Sequence, residues 1–355
     1  MVSEPDQGNW DEWTGTSEEE LEKYAGASQA LIKVFGVGGG GSNTINRLFK
    51  KAIPGVDLIA CNTDARHLRR IRSNYKILLG ENVTKGWGTG GDPRAGEAAA
   101  RESEQEILNY MQGGEIVFVT TGLGGGTGTG AAPVIASIAK EHGAITISVV
   151  TMPFETEGKE RERNALVGYR KLKQASDTVI AIPNEKLLKV NPDVPFEQGF
   201  EAIDEIVIKA ISAVTEVITR TERINLDLND LKEIVKNSKE AMIGIGVGEG
   251  DPDKRASEAL KNAINSPFLD VDFSTAKGVI LNVTGGTDLQ LTSANHIVDE
   301  VKKLVANDAR IILGVGIDPA FAGKIQVTLI VTGVLSDASK KGENLGNDDE
   351  IDFIS

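Results

Sequence analysis

The chain has 355 residues, 40% of them hydrophobic and 25% charged, with a net charge of −14. That length suits two domains or one large α/β unit, and the acidity excludes wholesale nucleic-acid binding, which needs a basic face. No apolar run nears the roughly 20 residues that cross a bilayer, so no direct membrane insertion is expected; Cys61, the only cysteine, points to a reducing cytoplasm.

Residues 1 to about 29 form an acidic lead-in with Trp10 and Trp13. Its composition predicts disorder, and it lacks the basic and apolar regions of a signal peptide. From residue 31 the pattern is strand, glycine loop, helix. LIKVFGV is a buried-strand run, and the glycines at 38–41 follow it. Ser42 and Asn43 then open a helix with Ile45, Leu48 and Phe49 on one face. DLIACN (57–62) is a second strand, and a second glycine loop at 86–93 leads into a helix predicted over 94–111. The central stretch, VFVTTGLGGGTGTGAAPVIASIAK (117–140), places six glycines in the nine positions 122–130, between an apolar strand and a small-residue helix opening at Ala131. Lacking a Cβ, glycine lets successive N–H groups turn toward an anion, and the helix start behind them adds free N–H groups and a positive dipole end. Thr127 and Thr129 offer hydroxyls, so this is a phosphate cradle without a lysine.

Strands at 144–151 and 177–182 flank a charged helix over 156–174. Alternation of this kind predicts parallel strands with right-handed crossovers, a doubly wound domain. Ile203, Val207, Ile211, Val214 and Ile218 then recur at helical spacing, predicting a helix over about 201–220. At 1.5 Å per residue it reaches roughly 30 Å, enough to bridge two domains. Beyond it, MIGIGVG, VILNVTG, RIILGVGI and KIQVTLIVTGVL interleave with helices near 253–265 and 290–306, a second α/β unit with a mixed sheet. The last twenty residues predict a flexible linker ending in the apolar-tipped peptide DDEIDFIS.

The glycines at 36–41 satisfy G-x-G-x-x-G with Asp64 some twenty residues on, which alone suits a dinucleotide site. Three glycine loops at one sheet edge suit a polyphosphate better. No G-x-x-x-x-G-K-[ST] occurs, so a P-loop site is excluded. Asp227 and Asp230 in NLDLNDL read locally either as a helix start with first-turn acids or as carboxylates that orient or deprotonate a water. The long helix holds this segment far from the cradle of its own molecule, so the two could meet only between molecules.

GLGGGTGTG is similar to the signature of the tubulin/FtsZ family of GTPases, and the likeness extends from about residue 32 to residue 334. GVGGGGSNTINR, CNTDARHL, GTGGDPRAG, PFETEGKERER, AIPNEKLL, NLDLNDL and AMIGIGVG carry it as well. The resemblance implies an α/β fold with a doubly wound, mostly parallel GTP-binding domain (30–200), a central helix (201–222) and a second α/β domain with a mixed sheet (223–335). A linker and tail (336–355) follow. It implies GTP and GDP as ligands, with Mg2+ carried mainly by phosphates and water rather than by a protein metal site. Gly38, Gly39, Gly40, Asn43 and Asn62 are then expected near the α/β phosphates, and Gly90, Gly91, Gly124, Gly125, Gly126, Thr127, Gly128 and Thr129 around the β/γ phosphates. Glu157 and Arg161 are expected at the ribose and phosphates, and Asn184, Phe200 and Asp204 at the guanine. Asn225, Asp227 and Asp230 are expected to complete the hydrolytic site of the next subunit in a head-to-tail filament.

The family usually has Phe-Ala where this chain has Leu228-Asn229, and Trp87 replaces an aliphatic residue. The tail suits archaeal members, and Ile351 to Ile354 are expected to bind a membrane-anchor adaptor at the division site. The competing expectations are an oxidoreductase using residues 36–41 with Asp64, and a structural paralogue without a role in division.

Overall fold

The computed structural model describes residues 32–53, 55–219, 228–236 and 238–334. The acidic lead-in, Asn225, Asp227 and the tail peptide lie outside the described residues.

The chain runs β1 (Ile32–Val37), α1 (Gly38–Lys51), β2 (Val56–Asn62), α2 (Ala65–Arg70), β3 (Tyr75–Leu78), α3 (Glu81–Thr84), α4 (Pro93–Glu102), α5 (Glu104–Met111), β4 (Ile116–Gly122) and α6 (Gly126–Glu141). It continues through β5 (Ile145–Met152), α7 (Lys159–Ala175), β6 (Thr178–Pro183), α8 (Glu185–Val190), α9 (Phe196–Thr219) and α10 (Leu228–Val235). The second half holds β7 (Lys239–Glu249), α11 (Pro252–Ile264), β8 (Gly278–Gly285), α12 (Leu291–Leu304), β9 (Arg310–Ile317) and β10 (Lys324–Thr332).

All ten strands join one sheet in the order β3-β2-β1-β4-β5-β6-β7-β10-β8-β9. The interior strands β1 and β4 are buried almost throughout, as expected of parallel strands covered on both faces. β6 pairs with β7 in parallel through only three residue pairs, Thr178 with Lys239 to Ile180 with Ala241, and this short ladder joins the halves. β10 pairs antiparallel with both β7 and β8, which makes the second half mixed.

One apolar core runs through both halves along α9. Ile203, Val207, Ile211, Val214 and Val217 pack in it with Ile147 and Ile180 of the first half and Ile280, Ile312 and Ile330 of the second. Each such side chain contributes about 1.5–3 kcal/mol on burial. The alternating glycines of β7 serve the opposite face. A Cβ at Gly244, Gly246 or Gly248 would lie 2.3, 2.2 or 2.0 Å from a carbonyl oxygen of α11. The helix backbone therefore rests directly on the strand.

Four boundaries differ from the expectation. α1 starts at Gly38 and α6 at Gly126, so both glycine loops are largely first helical turns. Glycine's low helix propensity argued for loops, and tertiary packing overrides it. The expected helix over 94–111 divides at Ser103 into α4 and α5. α9 begins at Phe196 directly after Pro195, a residue suited to a helix start, so Phe200 stands inside the helix.

Candidate functional site

The carboxyl ends of β1, β2 and β4 meet at one edge of the sheet, and the 86–92 loop folds onto it. That loop follows α3 rather than a strand, and it is tied down by Gly88 N–H donating to Thr63 O at 3.1 Å. The Thr127 hydroxyl bonds those of Thr63 at 2.6 Å and Thr89 at 3.4 Å, linking three segments. Gly38 approaches so closely that its Cβ would stand 2.9 Å from Gly128 N.

The glycines of this edge divide into two kinds. At Gly126 a Cβ would lie 2.2 Å from Thr89 Oγ1, at Gly128 2.1 Å from Thr121 Oγ1, and at Gly130 1.9 Å from Pro93 O. These three are glycines because protein packs against them, although their N–H groups still open the helix. At Gly39, Gly90, Gly91 and Gly125 a Cβ would meet nothing within 4 Å. Gly90 and Gly91 have φ of 62° and 92°, which itself favours glycine. Gly125, at φ −84°, has no such reason. Gly40 lies between the two kinds, 3.2 Å from Gly122 N, and Gly124 passes 2.9 Å from Arg161 O. Thr129 is fully buried and its hydroxyl accepts from Gly124 N–H at 2.8 Å. Through this bond it braces the loop from beneath.

Beside this edge, Glu157 pairs with Arg161 and accepts from Phe154 N–H at 2.9 Å. Phe200, 38% exposed, meets Phe154 edge to face at 5.6 Å. An aromatic ring exposed to this extent is suited to stacking on a planar ligand. Asn184 is 4% exposed, and its Oδ1 has no hydrogen-bond partner among the described residues. A buried acceptor left unpaired costs about 1–3 kcal/mol, which a ligand donor would relieve. Asp204 faces α1, pairing with Arg47 at 3.1 Å and lying 3.5 Å from the Thr44 hydroxyl. Burial pushes its carboxyl up to about 6, against the opposing pull of Arg47 and Thr44.

Residues 31–192 match the family model described as "Tubulin/FtsZ family, GTPase domain", and residues 239–335 match the one described as "FtsZ family, C-terminal domain". The chain belongs to the tubulin/FtsZ family. It is 48% identical over 319 residues to "Cell division protein FtsZ 1" of Pyrococcus horikoshii, covering 90% of this chain and 85% of that one. To the protein of the same name from Archaeoglobus fulgidus it is 45% identical over 339 residues, covering 95% and 92%. Among solved structures, an empty FtsZ dimer of M. jannaschii superposes with a TM-score of 0.85 at 45% identity, covering 89% of this chain and 91% of that one. CetZ2 of Haloferax volcanii, with a TM-score of 0.73 at 21% identity, shares the fold.

As a tubulin/FtsZ-family GTPase, the chain binds GTP and GDP. Of its expected hydrolytic residues only Asp230 is described. It stands exposed in the first turn of α10, 3.6 Å from Arg310, which also pairs with Glu233. Asp64 accepts from the N–H groups of Arg66 and His67 at 2.8 and 3.0 Å and caps α2. Both bonds fall on Oδ1, so the residue on which the oxidoreductase expectation rested has a structural role in this fold. Among the described residues no cluster of three His, Cys, Asp or Glu could hold a metal ion. No described helix is long and apolar enough to cross a membrane. Sequence analysis missed Thr63, Thr44, Arg47 and His67 at this edge. All four stand within the quoted motifs GVGGGGSNTINR and CNTDARHL, but the contacts of Thr44 and Arg47 with Asp204 and of His67 with Asn43 join segments distant in sequence.

Proposed function

We propose that GTP lies along the edge built by residues 38–43, 62–63, 86–92 and 122–129. The carrying observation is Gly125, a position whose backbone any residue could adopt and whose missing Cβ faces open space. No protein atom accounts for a glycine there, and a closely held phosphate does. Gly38, Gly39, Gly40, Asn43 and Asn62 serve the α/β phosphates; Gly90, Gly91 and the 124–128 backbone serve the β/γ phosphates. Glu157 and Arg161 serve the ribose and phosphates. Guanine offers donors at N1 and its 2-amino group, and the acceptors Asn184 Oδ1 and Asp204 suit them. Phe200 stacks on the base. Mg2+ arrives on the phosphates with its own waters, as this hard cation prefers.

The chain assembles head to tail, and Asn225, Asp227 and Asp230 of one subunit complete the hydrolytic site of the next. In-line attack needs a group that positions water opposite the leaving phosphate, and the cradle supplies N–H and hydroxyl donors but no carboxylate placed for that. The filament serves cell division as a ring in the cytoplasm, recruited to the membrane by an adaptor that binds Ile351 to Ile354. The functional division of the chain follows the boundaries 30–200, 201–222, 223–335 and 336–355.

The test is phosphate release from GTP at increasing protein concentration, with light scattering alongside. The specific rate is expected to rise as filaments form. Asp227→Ala should keep GTP binding and lose at least roughly a hundredfold in turnover. A concentration-independent specific rate, or wild-type turnover in the mutant, refutes a site shared between subunits.

A further inference from the structure

His67 has no counterpart among the expected site residues, yet it stands between two of them. Its ring Nδ1 lies 3.0 Å from Asn62 Nδ2, and its ring Nε2 lies 3.1 Å from Asn43 Oδ1. Asn62 ends β2 and is buried at 3% exposure; Asn43 stands exposed in α1. The Asn62 amide is itself oriented, because its Oδ1 accepts from Asp64 N–H at 3.3 Å. Its Nδ2 therefore turns to the ring as a donor, and ring Nδ1 must accept. A neutral imidazole then carries its proton on Nε2 and donates it to Asn43 Oδ1. The backbone of His67 is held as well, by its N–H bond to Asp64 Oδ1 at 3.0 Å. The relay thus runs from a buried strand end, through a fixed ring, to an exposed amide on the first helix.

Its consequence falls on Asn43. With Oδ1 turned toward the imidazole, the amide turns its Nδ2 hydrogens outward. No hydrogen bond within the described residues uses that nitrogen. An amide free to rotate would offer donor and acceptor faces alike. One held in this way suits an oxygen ligand such as a phosphate or ribose oxygen, and it needs no ordering when the ligand arrives.

We propose that His67 is a positioning residue for the nucleotide, held as the neutral Nε2–H tautomer so that Asn43 aims its amide donors at the ligand's oxygens. This rests on the assignment of Asn43 to the GTP site, and the experiment separates the two. GTP affinity is measured for wild type, His67→Ala, His67→Gln, His67→Asn, Asn43→Ala and the double variant His67→Ala/Asn43→Ala. Glutamine can keep the donor near Nε2, and asparagine can keep only the acceptor near Nδ1. His67→Gln should bind within about twofold of wild type, and His67→Ala and His67→Asn should each lose roughly three- to tenfold, the worth of one hydrogen bond. The double variant should bind no more weakly than Asn43→Ala alone, because the histidine acts through the asparagine. Wild-type affinity in His67→Ala, or losses that add in the double variant, overturns the positioning role while leaving the GTP site intact. Wild-type affinity in Asn43→Ala removes Asn43 from the site and the proposal with it. A readout independent of any variant is the ring nitrogen spectrum of the wild-type protein, which has three histidines. A neutral Nε2–H ring at His67 supports the relay, and an Nδ1–H ring overturns it.

Discussion

The protonation of Asp204 gives the sharpest test of how guanine is held. Its carboxyl sits at about 6 rather than 3.8, chiefly because burial penalises the charge. Only the ionised form accepts from both guanine donors without presenting a donor of its own. With that value the carboxyl is roughly 90% ionised at pH 7 and roughly 10% at pH 5. GTP affinity should therefore fall about tenfold between those pH values through this group alone. The phosphates of GTP titrate too, so the informative quantity is the ratio of dissociation constants between wild type and Asp204→Asn, taken by calorimetry at each pH. That ratio should shrink by about tenfold as pH falls from 7 to 5, because the mutant lacks the titrating group. Asp204→Ala at pH 7 should lose about 1.5–3 kcal/mol of binding, the usual worth of a hydrogen bond to a charged group. The effect on folding has the opposite sign. Between 3.8 and about 6 the folded chain holds the proton more tightly than the unfolded one, so this group's contribution to stability rises as pH falls through about 6. A pH-independent ratio, or unchanged affinity in Asp204→Ala, would sink the assignment.

Two further outcomes follow from the same geometry. Gly125→Ala should weaken GTP binding while leaving thermal stability unchanged or slightly higher, since its backbone is permissive and its Cβ meets no protein atom within 4 Å. Gly130→Ala, with a Cβ forced to 1.9 Å from Pro93 O, should instead destabilise the fold by about 1–3 kcal/mol; thermal melts with and without GTP distinguish the two patterns. Removing residues 347–355 should leave phosphate release and light scattering unchanged and abolish recruitment to adaptor-coated liposomes, and undiminished recruitment would remove the tail from the account.

The strands and helices were legible where one period dominated a stretch. LIKVFGV and the cradle's VFVTT are apolar on both faces because the sheet is covered on both sides, and the spacing of Ile203, Val207, Ile211 and Val214 sufficed to show α9. The glycine cradle was legible because few other purposes collect six glycines between a strand and a helix. Glycine is also where local reading stopped. Gly125 and Gly130 look alike in sequence, and only the approach of α4 to α6 makes one a matter of packing and leaves the other facing open space. The same packing turned apparent loops at Gly38 and Gly126 into helix starts.

The union of two α/β units into one sheet rests on a three-pair ladder between β6 and β7, strands separated by fifty-five residues, and no local pattern encodes it. Side-chain partnerships across such separations belong to the tertiary structure for the same reason. Asp64 matched a ribose-binding position in the sequence, and the fold spends its carboxylate on a helix cap. His67 stands within the motif CNTDARHL, but its role was not legible there, since it depends on Asn43, 24 residues away on another element. The sequence by itself determined the elements, the cradle and the family. Which glycines pack against protein and which face open space was decided by close approach between segments distant in the chain, which periodicity and composition do not record.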